Sequence, residues 1–375
     1  MDGTNVPRRS AASQLAELLD SAEIARLIGD LEETRWTGRP GYPIRAMVGL
    51  ALAKSLYAVP TWTRTVALVR EHAALRRAIA GDGDVPSVYA CYRFGEKLRR
   101  FKPLLDACLD RVSASLHAEI PEMGADVAVD ASDLPAYANG QRFVSKGGRE
   151  RERFSDPDAS WGHRSAVSTR KGGGFYGYRL HAAVCSRTDL PLAWRVETAR
   201  SNESQFAVPL IDSLRDRGLS VETVAMDKAY DNGPIYDTCE DRDCRPIIPL
   251  RQTTGVARGD HKPPTCQHGE WRFAGSDYKR KASKWRCPTG ECKPASRWIK
   301  ADRLHPLLPR ETPRWRKLYR SRAAVEREFG RLKNEWALLP LRVRGIERVR
   351  LHADLTMLAK LSSALARARA VPLAA

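Results

Sequence analysis

Apolar residues near the start of the chain recur at helical spacing. Leu15, Leu18, Leu19, Ile24 and Leu27 follow the i, i+3, i+4 pattern of a helix with one buried face. Residues 38–43 (GRPGYP) read as a loop, because Gly and Pro punctuate helices. A helix is predicted from 44 to about 57, and Pro60 and Thr61 open the next. Pro86 and Ser87 begin a long helix through Arg99, interrupted near Pro103 and resuming to about Leu116. No period-2 pattern occurs in this first part.

After Gly124 the period changes. DVAVDAS (126–132) alternates as a half-buried strand does. Residues 139–174 are rich in Gly, Ser, Arg and Lys and are predicted to be a mobile loop. YRLHAAVCS (178–186) and LAWRVETA (192–199) read as an antiparallel pair joined around Asp189 and Pro191. An amphipathic helix follows over 204–217, stopped by Gly218. VETVAMD (221–227) and RPIIPL (245–250) are strand-like. One strong helix is predicted from about Trp315 to Trp336 and a last one over 346–369. This order predicts an α/β fold, a mixed sheet flanked by helices. It is preceded by a helical region and interrupted between 251 and about 310.

Charge narrows the partners. The 375 residues carry 63 Lys and Arg against 45 Asp and Glu, a net charge of +18. Such an excess concentrates polyanions near the protein, so nucleic acid is the first partner to consider. An anionic membrane surface is the second. It is disfavoured because no run of 18 apolar residues exists and the best candidate, 46–58, is interrupted by Lys54. The opening MDGTNVPRRS lacks the apolar segment of a signal peptide, so a cytoplasmic protein with reduced thiols is expected. The stretch 251–320 holds 18 Lys or Arg but 6 Asp or Glu, two-thirds of the net charge.

Three acidic residues stand out. Asp130 lies inside a predicted strand, where Asp is depleted, although a local turn hydrogen bond with Ser132 and Asp133 nearby would also explain it. Asp227 ends another strand, and sites form at the carboxyl ends of strands in open sheets. A helix N-cap is the alternative there. On the predicted 315–336 helix, Tyr319, Arg322, Glu326 and Lys333 fall on one stripe beside the apolar Val325, Phe329, Leu332 and Trp336. That stripe faces either a cleft or solvent.

The stretch YRSRAAVEREFGRLK (319–333) carries Tyr-x2-Arg-x3-Glu-x6-Lys. It resembles the signature of the bacterial insertion-sequence transposases of the four and five groups, within the DDE class. VAVDAS resembles the strand holding that family's first Asp, and AMDKAYD resembles the context of its second, with Ala229 where Gly is usual. GYRLHAAVCSRTDLPLAWRVETARSNES resembles the strand pair between them. GRPGYPIRAMVGLALAKSLY, with Tyr92-Arg93-Phe94, resembles the helical domain that precedes the catalytic core. The resemblance spans about 40–360.

The resemblance implies a ribonuclease H-like core with metal-binding catalytic carboxylates Asp130, Asp227 and Glu326. Two Mg²⁺ ions about 4 Å apart would serve the attacking and leaving oxygens, and Mn²⁺ would substitute. Asp130 would bridge the metals. Arg322 and Lys333 would hold phosphates of the transposon end, with Tyr319 a phosphate or base contact. Double-stranded DNA (terminal inverted repeats and target) is the implied partner, the active complex is expected to be a homodimer, and the location is the cytoplasm, at the nucleoid.

The expected organisation is a helical domain over 1–124 that binds DNA ends or pairs subunits, and a first part of the core over 125–250. A basic, β-rich insertion over 251–312 and completing helices over 313–375 follow. In the insertion, Lys279, Arg280, Lys281, Lys284 and Arg286 flank Trp285, with Trp271 and Trp298 near. The mixture suits backbone contact plus base stacking, or else a small tryptophan core under a basic surface. Cys266, His268, Cys287 and Cys292 could hold structural Zn²⁺, though a Cys-x2-Cys knuckle is absent. The expected function is cut-and-paste DNA transposition. A DNA-binding relic and a nuclease without strand transfer are the alternatives.

Overall fold

A computed structural model describes residues 10–35, 41–164, 171–251 and 262–370. Seven helices come first: α1 (Ala11–Asp20), α2 (Ala22–Glu33), α3 (Ile44–Leu56), α4 (Trp62–Glu71), α5 (Ala73–Ala80), α6 (Val88–Arg100) and α7 (Lys102–Glu119). Their starts follow the sequence. Thr61 caps α4 through the Arg64 N–H, and Ser87 caps α6 through the Ala90 N–H. Pro103 sits in the first turn of α7, where its missing N–H costs nothing. α3 is buried on nearly every side and lies at the middle of this helical region.

The sheet contains β1 (Asp126–Pro135), β2 (Ser160–Arg164), β3 (Gly173–Cys185), β4 (Pro191–Thr198), β5 (Thr223–Ala225) and β6 (Arg245–Ile247). β1 is antiparallel to β3 and parallel to β5, and β5 is parallel to β6. β2 and β4 both pair with β3 on the edge away from β1. The order β4-β3-β1-β5-β6 is that of the expected ribonuclease H-like fold. Gly177 makes the β1–β3 pairing possible, because a Cβ there would run into the Leu134 carbonyl. The predicted mobile loop over 139–174 is corrected by β2. Its five residues pair with the glycine-rich start of β3, where small residues let the strands approach; residues 165–170 of that stretch lie outside the described residues.

α8 (Ala207–Asp216) follows a 3-10 turn over Glu203–Phe206, and α9 (Gly233–Asp241) links β5 to β6. Gly218, at φ +76°, ends the α8 segment as expected. The insertion forms a hairpin of β7 (Thr265–Cys266) and β8 (Gly269–Glu270). Beside it lies an antiparallel sheet of β9 (Arg272–Asp277), β10 (Ala282–Arg286) and β11 (Ser296–Lys300). It is therefore β-rich, as expected. Its return to the core is tied by Arg303 on the buried Asp231, and by Arg310 on the carbonyls of Ile248, Arg303 and Leu304.

The single helix expected over 315–336 is two: α10 (Pro313–Arg320) and α11 (Ala323–Glu335). Ser321 and Arg322 keep helical dihedrals but bond in the tighter i→i+3 pattern, as do Ala324 and Val325. The kink lets α10 lie on β5 and β6 while α11 lies on β1 and β3. The last helix, α12 (Ile346–Ala370), packs against α3 and α7 on one side and β4 on another. One continuous core consequently joins the N-terminal helices to the sheet. Among the described residues no helix is long and apolar enough to cross a membrane.

Candidate active site

β1 and β5 are adjacent and parallel, with Ala128 level with Ala225. Asp130 and Asp227 each stand two residues beyond that pair, so the register puts them level with each other, Asp130 midway along β1 and Asp227 just past the end of β5. Asp130 lies beyond the fully buried Val127, Ala128 and Val129. Its Oδ1 accepts from the Ala131 N–H at 2.8 Å. Asp227 caps the 3-10 turn Lys228–Tyr230, accepting from the Ala229 N–H at 2.7 Å. Ala229 is not among the positive-φ residues, so the loss of the usual glycine there strains nothing. Asn232, not an Asp, caps α9.

Glu326 is on the first turn of α11. Arg322 joins it to the strand: its Nη1 donates to Asp130 Oδ2 at 2.7 Å and its Nη2 to Glu326 Oε1 at 2.5 Å. The guanidinium thus occupies the space between two of the three carboxylates. Lys333, one face along on α11, donates to Ser132 Oγ at 2.6 Å, which ties the far end of the helix to β1. Tyr319 is on α10, stacked on Trp315 at 5.1 Å over a cluster of Ala225, Ile247 and Leu308. The kink therefore separates Tyr319 from the other three signature residues, and the Arg322 guanidinium lies 6.0 Å from its ring.

Burial pushes the Asp130 carboxyl up to about 7, against the pull of Arg322 and the Ala131 N–H; the negative charges of Asp227 and Glu203 push it further the same way. Glu203 was not singled out in the sequence. It stands in the 3-10 turn after β4, held by Arg179 Nη1 at 2.8 Å. Burial also raises its pKa, with Asp227 and Asp133 adding to the rise. Tyr230, fully buried, feels the charges of Asp130, Glu203 and Asp227. Burial and the Arg179 charge drive the His181 imidazole down to about 3, so it stays neutral. Glu203 was hidden in the SNES stretch, where one acidic residue on a turn carries no periodic signal.

The insertion divides its candidate DNA contacts. Lys279 and Arg280 are exposed at the β9–β10 turn, whereas Lys281 pairs with Glu240 at 3.3 Å. Trp285 corrects the sequence expectation of a stacking platform. It is 4% exposed, packs edge-on to Phe273 and donates its indole N–H to Ser283. Trp271 is buried beside it, so these two tryptophans form the small core. Trp298 is exposed, directly opposite Lys284, with Arg280 and Lys284 5.6 and 5.5 Å from its ring.

Cys266, Cys287 and Cys292 are drawn together, their sulfurs within 4.8 Å of one another. They are the one such group of potential metal ligands among the described residues. His268 lies outside that group, with its ring on Glu291 at 3.4 Å, so the four-ligand set expected from sequence is not assembled. The carboxylates are more widely spread than the thiols.

Residues 123–360 match a family described as the transposase DDE domain, and residues 3–97 match one described as a transposase domain (DUF772). No curated protein matches the chain. Among solved structures, the cryo-EM structure of a piggyBac transposase synaptic complex with hairpin DNA is similar at 12% identity and a TM-score of 0.41. The match covers 94% of this chain and 73% of that one. The DDE match takes in well over half of the chain and contains Asp130, Asp227 and Glu326, and the chain accordingly belongs to the DDE transposase family.

Proposed function

We propose that the protein cuts DNA at transposon ends and joins the freed ends to target DNA, with Asp130, Asp227 and Glu326 as the catalytic carboxylates. The observation that carries this reading is the level placement of Asp130 in β1 and Asp227 just past β5, with Glu326 linked to Asp130 through Arg322.

The site suits divalent metal on its own chemistry. Asp130 is a largely enclosed carboxylate, its side chain 17% exposed, crowded by two others and offset by a single arginine, so it needs more positive charge to stay ionised at neutral pH. The donors are all oxygen, the set that Mg²⁺ prefers and Mn²⁺ accepts. When bound, two such ions would neutralise the reacting phosphate and bring its attacking and leaving oxygens under one field. Asp130, Asp227 and Glu326 would hold them. Arg322 must then release at least one carboxylate, and its freed donors reach toward DNA phosphate, which matches the guanidinium fork. Lys333 keeps α11 on β1 and adds positive charge beside the site. Arg179 fixes Glu203 near the triad.

Chemically, a water oxygen attacks the phosphorus at the transposon end and the P–O3′ bond breaks, leaving a 3′-hydroxyl on the transposon and a 5′-phosphate on the flanking DNA. That hydroxyl then displaces a 3′ oxygen in target DNA, so the phosphodiester count is conserved on joining. Tyr319, stacked on Trp315, serves as a DNA contact and not as a nucleophile. The exposed Lys279, Arg280 and Trp298, with the half-buried Lys284 beside them, extend the DNA surface onto the insertion. The helices of 1–124 bind ends or pair subunits, the core comprises 125–250 with 313–375, and the working form is a homodimer at the nucleoid. Labelled duplex carrying the repeats that flank the gene, incubated with Mg²⁺ or Mn²⁺ and a target plasmid, tests this. The expected products are end cuts and joined molecules. Cuts without joining would reduce the protein to a nuclease, and binding without cuts would make it a DNA-binding relic.

A further inference from the structure

The cysteine group in the insertion has no part in the catalytic reading and stands independently of it. Cys266 closes the short β7–β8 hairpin, which turns through Gln267 and His268 into Gly269 at φ +110°. Cys287 follows β10, and Cys292 ends the turn Cys-Pro-Thr-Gly-Glu-Cys, which reverses at Gly290 with φ +81°. Two separate glycine-bearing turns thus deliver thiols to one point. Cys266 Sγ and Cys287 Sγ are 3.9 Å apart, and Cys287 Sγ also meets the Thr289 hydroxyl at 3.5 Å.

The insertion also needs a staple. Its core has three buried side chains, Trp271, Trp285 and Cys287, with Phe273 and Ile299 beside them. Units this small seldom hold together on apolar burial alone and are commonly closed by disulfides or a metal. Three thiols cannot all be paired by one disulfide, whereas one Zn²⁺ takes all three and a fourth ligand. His268 can provide it. It is two residues from Cys266, and its ring already reaches Glu291, which lies between the other two cysteines.

We propose that Cys266, Cys287 and Cys292, with His268 swinging from Glu291 to become the fourth ligand, bind one structural Zn²⁺ that clamps the β7–β8 hairpin onto the β9–β11 sheet. The three thiols give their protons to solvent, the imidazole binds neutral, and nothing is oxidised. The clamp fixes the end of β10, and so the Lys284–Trp298 pair that the same strand presents on its outer side.

Full-length protein purified without chelator is expected to carry about one zinc per chain by elemental mass spectrometry. C287S and C292S should lose at least nine-tenths of it, and C91A, at a buried thiol in α6, should keep it. Cobalt(II) added to the stripped protein should give a thiolate-to-metal charge-transfer band with tetrahedral d–d bands. H268A should keep the first, alter the second and bind at least tenfold more weakly. Should the serine variants not fold, chelation of the wild type decides, because removing metal should expose three further thiols to a thiol reagent. Wild type without zinc and without the cobalt bands overturns the proposal. So does a Cys266–Cys287 disulfide found by peptide mapping. Unchanged cobalt bands in H268A overturn the fourth ligand.

Discussion

Asp189 offers a perturbation whose cost can be worked from the structure. It sits in the turn between β3 and β4 with φ +56°, and its side chain is 12% exposed. Arg327 grips it with Nε at 3.0 Å and Nη2 at 2.7 Å, and Arg331 adds a third bond at 2.9 Å. Both arginines are on α11, so this one carboxylate fastens the helix that carries Glu326 to the far end of the central strand pair. Charge-assisted bonds to a buried carboxylate are worth about 1.5–3 kcal/mol each set. The arginines are 51% and 40% exposed, so solvent screening brings the expected loss down to about 1–2 kcal/mol. Asp189→Asn should therefore lower Tm by about 1–3 °C for a chain of this size. Asp189→Ala should fall about a further 1 kcal/mol, because alanine is strained in the left-handed region that Asn tolerates.

The pH dependence has a definite sign. Burial raises the Asp189 pKa, but the two arginines outweigh it and the net shift is downward. Its stabilisation is therefore complete above the unfolded carboxylate pKa, about 3.9, and is lost as pH falls through the lower folded value. Thermal melts of the three proteins at pH 7, and of wild type and D189N on lowering the pH toward 3, measure this. D189N at the wild-type Tm, or D189A equal to D189N, would refute the reasoning.

Asp130 has the opposite sign. Its folded pKa of about 7 exceeds the unfolded value, so in EDTA it is a burden that grows as pH rises from about 4 to 7 and is full at pH 8. D130N should raise the metal-free Tm at pH 8 and do so less at pH 5 in differential scanning fluorimetry; a lower Tm at pH 8 would contradict the electrostatics. The two insertion tryptophans should separate. Trp285→Ala empties the small core and should cost about 3–5 kcal/mol. Trp298→Ala should leave the melt within about 0.5 kcal/mol and weaken DNA binding several-fold in a gel-shift titration, and unchanged binding would remove Trp298 from the interface.

Much of the architecture was legible where pattern and local chemistry agree. The strand at DVAVDAS, the caps Thr61 and Ser87, and Gly218 all fell where the sequence put them, although Val127, Ala128 and Val129 are buried in succession and not in the half-buried alternation expected. Asp130 inside a strand and Asp227 after one were both legible; their level placement was not, because it depends on the β1–β5 register. The kink at Ser321–Arg322 was not legible, since both residues have helical dihedrals and the apolar stripe runs on through it. β2 was hidden because its residues alternate weakly and it pairs with a glycine-rich partner. Composition misjudged Trp285, because a tryptophan among lysines looks the same in sequence whether it faces the core or the solvent. Glu203 and Arg179 were illegible for a related reason. They meet the site only through the fold, from a turn and a strand whose own patterns needed no such role.

The central claim is that the three carboxylates act as one catalytic set. Glu326 is the residue to change, because it is partly exposed on α11 and supports no core packing. Wild type and Glu326→Gln would be compared on DNA carrying the flanking repeats, with binding and strand cleavage measured in the same Mg²⁺ buffer. The account predicts equal binding and at least a hundredfold loss of cleavage in the variant. Cleavage by Glu326→Gln at the wild-type rate would contradict it.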